Sequence, residues 1–170
     1  IKKFKNKFMP KTTCDTEILG WLLDNYDCQE VISNQIDSMH AFVFFNKEKN
    51  EIILSRDHVG IKPLYFSEIK NGIVFASEIK GLLNIIPNAK KIDRLGLACT
   101  CFLGTNVLRQ TLFNGIYKVL PGETIIYSLN NKKIKSTFRN LVKPYSNNGF
   151  YIEEFYQKSK EAINNSALGI

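Results

Sequence analysis

Leu54-Ser-Arg-Asp-His-Val-Gly-Ile-Lys-Pro-Leu-Tyr-Phe66 passes from an apolar run through a charged reversal into a second apolar run. It begins as the end of an apolar run, Ile52-Ile53-Leu54, and breaks into a charged turn, Arg56-Asp57-His58-Val59-Gly60. The chain then resumes through Ile61, Lys62 and Pro63 to Leu64-Tyr65-Phe66. Gly60 permits a positive φ, which a tight reversal between strands often needs. Pro63 has no amide hydrogen, so it belongs at a strand start or a sheet edge. Arg56 and Asp57 flank the turn, where a charged pair can bond backbone groups that have left the ladder.

Outward from this stretch the chain alternates between strand and helix patterns. Downstream, Ile73-Val-Phe-Ala-Ser-Glu-Ile-Lys-Gly-Leu-Leu83 reads as a strand, Ile73 to Ala76, feeding a short helix capped by Ser77. Upstream, the mostly apolar run from Met39 to Phe45 and the run from Glu51 to Leu54 flank a polar turn, which makes a hairpin. Ile18, Leu22 and Tyr26 stand four apart with Trp21 beside them, so a helix is expected after Cys14. Gln29 to Ile36 reads as another, and Ile1 to Phe8 as the tail of one. Asp93 caps a helix running to about Phe102, and Gly104 can end it. Pro121-Gly122 is a turn that opens a strand from Thr124 to Leu129, with a further strand from Lys133 to Phe138.

Composition narrows the classes. The formal charge is +7 over 170 residues, but the basic side chains are spread out, apart from Lys2, Lys3, Lys5 and Lys7. A nucleic-acid reader concentrates them with aromatic or polar side chains on one surface, so no nucleic-acid partner is expected. No run approaches the ~20 apolar residues of a membrane span, so no membrane partner is expected. Cys14, Cys28, Cys99 and Cys101 form no C-x-x-C pair and lie far in sequence from His40 and His58. No metal site is expected, and the thiols read as reduced, mostly buried and cytoplasmic.

The charged turn and the 73–83 segment together resemble the glutaminase domain of glutamine-hydrolysing asparagine synthetases. That family's pattern is R-D-x-x-G-I-K-P-L-Y-Y followed by F-A-S-E-I-K-A-L. Thr111-Leu-Phe-Asn-Gly-Ile-Tyr-Lys-Val-Leu-Pro-Gly122 resembles its T-L-F-x-G-I-x-K-L-x-P-G. Phosphoribosyl-pyrophosphate amidotransferases share the R-D-x-x-G-I and S-E features but lack this combination. The resemblance implies an α+β fold, the four-layer αββα sandwich of N-terminal-nucleophile hydrolases, present here in part and without its N-terminal strands. Strands between amphipathic helices agree with two packed sheets covered by helices.

The same resemblance assigns residues. Class II glutamine amidotransferases open a helix with S-D-T-E, whose Asp binds the α-amino group of glutamine. Here the segment is Cys14-Asp15-Thr16-Glu17, and Asp15 takes that place. The residues alone allow a second role for Asp15, as a helix cap. Met39, in Ser38-Met39-His40-Ala41-Phe42, resembles a position lining an ammonia tunnel in related synthetases; plain core packing is its other reading. His40, where the family has Phe, and His58 read as structural.

No catalytic residue is expected within the chain. The family's nucleophile is an N-terminal Cys, and neither it nor the Asn-Gly-Glu run of the glutamine pocket occurs here, nor does the Ser-Gly-Gly-x-Asp-Ser pyrophosphate loop. Ile1 in place of Met points the same way, to a piece of something longer. Residues 1–142 are expected to be the later part of the glutaminase domain, 143–149 a linker rich in Pro, Ser, Asn and Gly, and 150–170 the first helix of a synthetase domain. The implied partners are glutamine and, in the missing domain, aspartate with ATP and Mg²⁺; none of these cofactors is expected on this fragment. A homodimer of the longer protein is implied as well. Two alternatives stay open: an amidotransferase acting on a sugar or peptide, and a non-catalytic glutaminase-like module.

Overall fold

The computed structural model describes residues 8–12, 14–36, 38–139 and 152–168. The expectations for 1–7 and for the 143–149 linker fall outside them. The chain divides into two units, Ile1–Asn140 and Leu141–Ile170. The first holds two sheets among the described residues. One has the order β1-β2-β6-β7, from β1 (Ala41–Asn46), β2 (Glu51–Arg56), β6 (Glu123–Ser128) and β7 (Lys133–Phe138). The other has the order β4-β3-β5, from β3 (Tyr65–Ile69), β4 (Gly72–Ala76) and β5 (Tyr117–Lys118). Every strand pairing is antiparallel.

Alternation along the strands stacks the layers. On the first sheet, Ala41, Val43, Ile52, Leu54, Ile125 and Tyr127 turn inward and meet Phe66, Ile73 and Tyr117 of the second. Leu54, Val119 and Ile125 are wholly buried there; burying such a side chain contributes roughly 1.5–3 kcal/mol. The intervening residues Phe42, Phe44, Ile53 and Ile126 face the other way, onto α1 (Asp15–Asn25), α2 (Cys28–Glu30) and the π-turn Val31–Gln35. Tyr65, Val74 and Ala76 turn outward on the second sheet and pack on Leu82, Ile86 and Ala89. Two stacked sheets between outer layers are what the αββα sandwich requires. Strands β1, β2 and β6 carry continuous apolar runs in the sequence because both faces of the first sheet are covered.

Several boundaries differ from the sequence reading. The helix after Ala76 is a single 3₁₀ turn, Ile79–Gly81, whose cap position is Glu78 rather than Ser77, with no side-chain cap bond. The Gln29–Ile36 helix becomes one turn of α-helix and then the π-turn. Its real cap is Asp27, whose carboxylate accepts from the Gln29 and Glu30 amides. Strand β3 begins only at Tyr65, so Pro63 precedes it rather than starting it. Two of the four cysteines, Cys14 and Cys101, are exposed, so the thiols are not mostly buried. The Asp93 cap is borne out: its Oδ1 accepts from the Gly96 amide at 2.8 Å and opens α3 (Arg94–Leu103), which ends at Gly104 with φ 70°. In the second unit, α4 spans Ile152–Leu168.

The charged turn carries the chain from the first sheet to the second. Asp57 is buried, and its Oδ1 accepts from the Val59, Gly60 and Ile61 amides at 3.1, 2.7 and 3.1 Å. Arg56 donates to three carbonyls, from Nε to Lys62 at 2.7 Å, from Nη1 to Val119 at 2.8 Å and from Nη2 to Gly60 at 2.6 Å. Lys62 leads into β3 and Val119 follows β5, so one guanidinium at the end of β2 ties the two sheets together. Gly60 has φ 73°, and a Cβ there would stand 2.8 Å from Pro121 Cγ.

Two stability outcomes follow. Burial works to raise the Asp57 pKa, but the amides of Ile61, Lys62, Gly60 and Val59 outweigh it and hold the carboxyl below its ordinary value. A carboxylate depressed in the folded state stabilises it above the unfolded pKa of ~3.9, and that contribution disappears as pH falls through the lower folded value. Asp57→Asn should therefore cost about 2 kcal/mol in urea unfolding at pH 7, with the gap to wild type closing below about pH 4. Gly60→Ala should cost about 1–3 kcal/mol, because it adds a left-handed non-glycine residue and a clash at once; an unchanged urea midpoint would refute the close approach.

Candidate functional site

The N-terminal ends of α1 and β1 lie at the same end of the helix layer. A cleft at the opposite end is lined by Leu23 to Asp27 together with Phe44 to Lys49. The last residues of α1 thus sit by the last residues of β1, and helix and strand run in the same sense. Asp15 and Met39 consequently share the end where β2 finishes at Arg56, β6 starts at Glu123 and β7 finishes at Phe138. The charged turn occupies this end too: the Asp57 amide donates to the His40 carbonyl, and the Gly122 amide to the Asp57 carbonyl. Sequence positions 14–17, 38–42, 56–62 and 120–123 are thereby collected around one rim.

The segment leading into α1 is fastened by Glu17. Its carboxylate accepts from the Lys11 and Thr12 amides at 2.9 Å each and from Thr12 Oγ1 at 2.7 Å. Thr12 Oγ1 in turn accepts from the Cys14 amide at 3.2 Å. The Lys11 amide, then the Thr12 hydroxyl, keep the Glu17 carboxyl below its ordinary range. Cys14 is the N-cap residue and makes no side-chain cap bond. Asp15, one position further, is exposed in the first helical turn. The cap reading of Asp15 is therefore corrected: the segment before the helix is fastened by Glu17, and the Asp15 carboxylate stands in solvent at the helix's positive end. The clamp was overlooked in the sequence, although a Glu three residues after the N-cap is the spacing that signals one.

Met39 is 65% exposed in the segment leading into β1, which removes its core-packing reading. His40 beside it is half-buried, with Nδ1 3.2 Å from Ser38 Oγ and Nε2 3.2 Å from Ser55 Oγ. Burial pushes its pKa down. Ser55 continues to Thr124 Oγ1 at 3.2 Å, so the imidazole begins a polar row across the helix-facing side of the first sheet. His40 is a satisfied structural histidine, as expected. Among the described residues, no three His, Cys, Asp or Glu side chains gather to hold a metal ion, and no helix is long and apolar enough to cross a membrane.

Between the sheets at the same end sits a second group the sequence reading missed. Glu123 is completely buried; it accepts from Arg109 Nη2, from Ser136 Oγ and, at 2.8 Å, from the Leu120 amide. Arg109 also lies 5.9 Å above the Phe66 ring of the second sheet. Breaking such a pair leaves a buried charge, at a cost of about 3–5 kcal/mol, so this group braces the rim rather than offering a free carboxylate. Arg109 and Glu123 are 14 residues apart, and no local pattern announces their pairing.

Comparison with known proteins places this architecture. Glutamine-hydrolyzing asparagine synthetase 3 of Bacillus subtilis is 30% identical over 118 residues, which are 68% of this chain and 19% of that protein. Asparagine synthetase 2 of the same organism is 37% identical over 84 residues, 49% of this chain and 11% of that protein. The chain thus spans a fifth or less of the length of these relatives. The structure of glutamine phosphoribosylpyrophosphate amidotransferase from B. subtilis superposes with TM-score 0.51 at 21% identity, over 83% of this chain and 26% of that one. That likeness bears out the α+β fold of N-terminal-nucleophile type. A family model describing a glutamine amidotransferase domain matches residues 2–139, and by that match the chain belongs to the glutamine amidotransferase domain family.

Proposed function

We propose that this chain is the later part of the glutaminase domain of an ATP-dependent asparagine synthetase, in which ammonia released from glutamine amidates aspartate. The observation that carries the reading is the exposed Asp15 carboxylate on the clamped mouth of α1, at the end where the two sheets are tied together. A carboxylate there offers a charge-assisted hydrogen bond to the α-ammonium of glutamine, which separates an amino acid from a simple amide. Met39, exposed on the same rim, takes the place of a tunnel residue on the path of the released ammonia. The nucleophile is an N-terminal Cys supplied by the segment before this chain, its thiol assisted by its own α-amine. ATP and Mg²⁺ act in the synthetase domain that α4 introduces. A cytoplasmic location and a homodimer of the longer protein complete the reading.

Two outcomes test it. In the longer protein, Asp15→Ala should weaken glutamine binding at least tenfold, while ammonia-dependent synthesis is unchanged; equal affinity in a glutamine titration would remove Asp15 from the site. The purified 170-residue chain should release no glutamate from glutamine above background, because the nucleophile and the oxyanion donors lie elsewhere. Hydrolysis by that chain would show that its own residues carry the chemistry.

A further inference from the structure

Helix α3 is apolar almost all round. In Arg94-Leu-Gly-Leu-Ala-Cys-Thr-Cys-Phe-Leu103 the only charge is Arg94. Its inner face is settled by Gly96 and Cys99, both buried. A Cβ on Gly96 would stand 2.0 Å from the Thr111 carbonyl oxygen, so the helix lies directly on that backbone. The outer face is not settled at all. Phe102 is 87% exposed, Leu103 60% and Leu95 54%, with Ile92 (60%) just before the helix and Val107 (61%) just after it. A surface helix ordinarily turns charges outward. Single exposed apolar residues are unremarkable, whereas a cluster marks an interaction site. Leu95 and Phe102, seven residues apart, share one flank of the helix, whereas Leu97 is turned away from Leu95.

Two facts point to the occupant. The matched relatives extend far beyond the compared region, since this chain covers only 19% and 11% of their length. The rim of the patch is basic, with Lys90, Lys91 and Arg94 exposed beside Ile92 and Leu95, which suits an apolar surface edged by carboxylates. We infer that the outer face of α3 is where the ammonia-consuming domain of the longer polypeptide docks on the glutaminase unit. This rests on the reading under Proposed function and adds the surface through which the two activities are coupled. Phe102 and Leu95 are the anchors.

The test uses the longer polypeptide, wild type and Leu95→Glu/Phe102→Glu, beside the 170-residue chain. The expected result has two parts. The double variant hydrolyses glutamine at the wild-type rate but yields at least several-fold less amide product per glutamine consumed, with synthesis from added ammonia retained. Hydrogen exchange of the 94–103 amides is slower in the longer polypeptide than in the 170-residue chain. Equal exchange in the two, or unchanged stoichiometry in the variant, overturns the inference while leaving the glutaminase reading intact. A concentration-dependent dimer of the 170-residue chain that Phe102→Glu dissolves also overturns it, by assigning the face to a second copy. Absence of glutamine hydrolysis in the wild-type polypeptide defeats the functional reading instead, and the exchange comparison still decides whether α3 is covered.

Discussion

The Arg56–Asp57 pair is the constraint on which the first unit depends. A sandwich of two sheets needs the chain to leave one and enter the other, and at that crossing the backbone loses its ladder partners. Unpaired amides and carbonyls buried there would each cost about 1–3 kcal/mol. Asp57 takes the amides and Arg56 takes the carbonyls. The two side chains do not need each other as an ion pair; each is spent on the backbone. The same bonds hold β2 of one sheet to the segments flanking β3 and β5 of the other, so satisfying the turn and closing the sandwich are one event.

This closure gathers the rim at one end of the first sheet. Because β2 and β7 finish there and β1 and β6 start there, the segments that enter and leave those strands arrive together, along with the start of α1. Rigidity is supplied from three directions. Glu17 fastens the approach to α1, Asp57 fastens the turn, and Glu123 with Arg109 fills the gap between the sheets. Asp15 is left exposed among groups that are otherwise committed.

The legibility of this arrangement varied with the range of the forces involved. The apolar strand runs, the Asp93 cap and the Pro121-Gly122 turn are local matters of hydropathy, φ and hydrogen-bond donors, and they are legible in the sequence. The segment around Ile79–Gly81 has residues that favour a helix, yet it forms a single 3₁₀ turn, followed directly by Leu82 and Ile86 packed on the second sheet. Asp15 read as a cap on composition alone, but Glu17 had already secured the preceding loop.

From neighbouring residues alone come most of the longer strands, the helices α1 and α3, and the three extended motifs that point to the family. These depend on neighbours in the chain, whose spacing the peptide geometry sets. That Arg56 bridges the sheets and that Glu123 is buried against Arg109 follow from the folded arrangement. It alone left Asp15 and Met39 in solvent and the outer face of α3 uncovered. Each of those outcomes joins residues far apart along the chain, or records the absence of a neighbour. Burial and pairing at such distances are settled by how the layers stack, which no local pattern encodes.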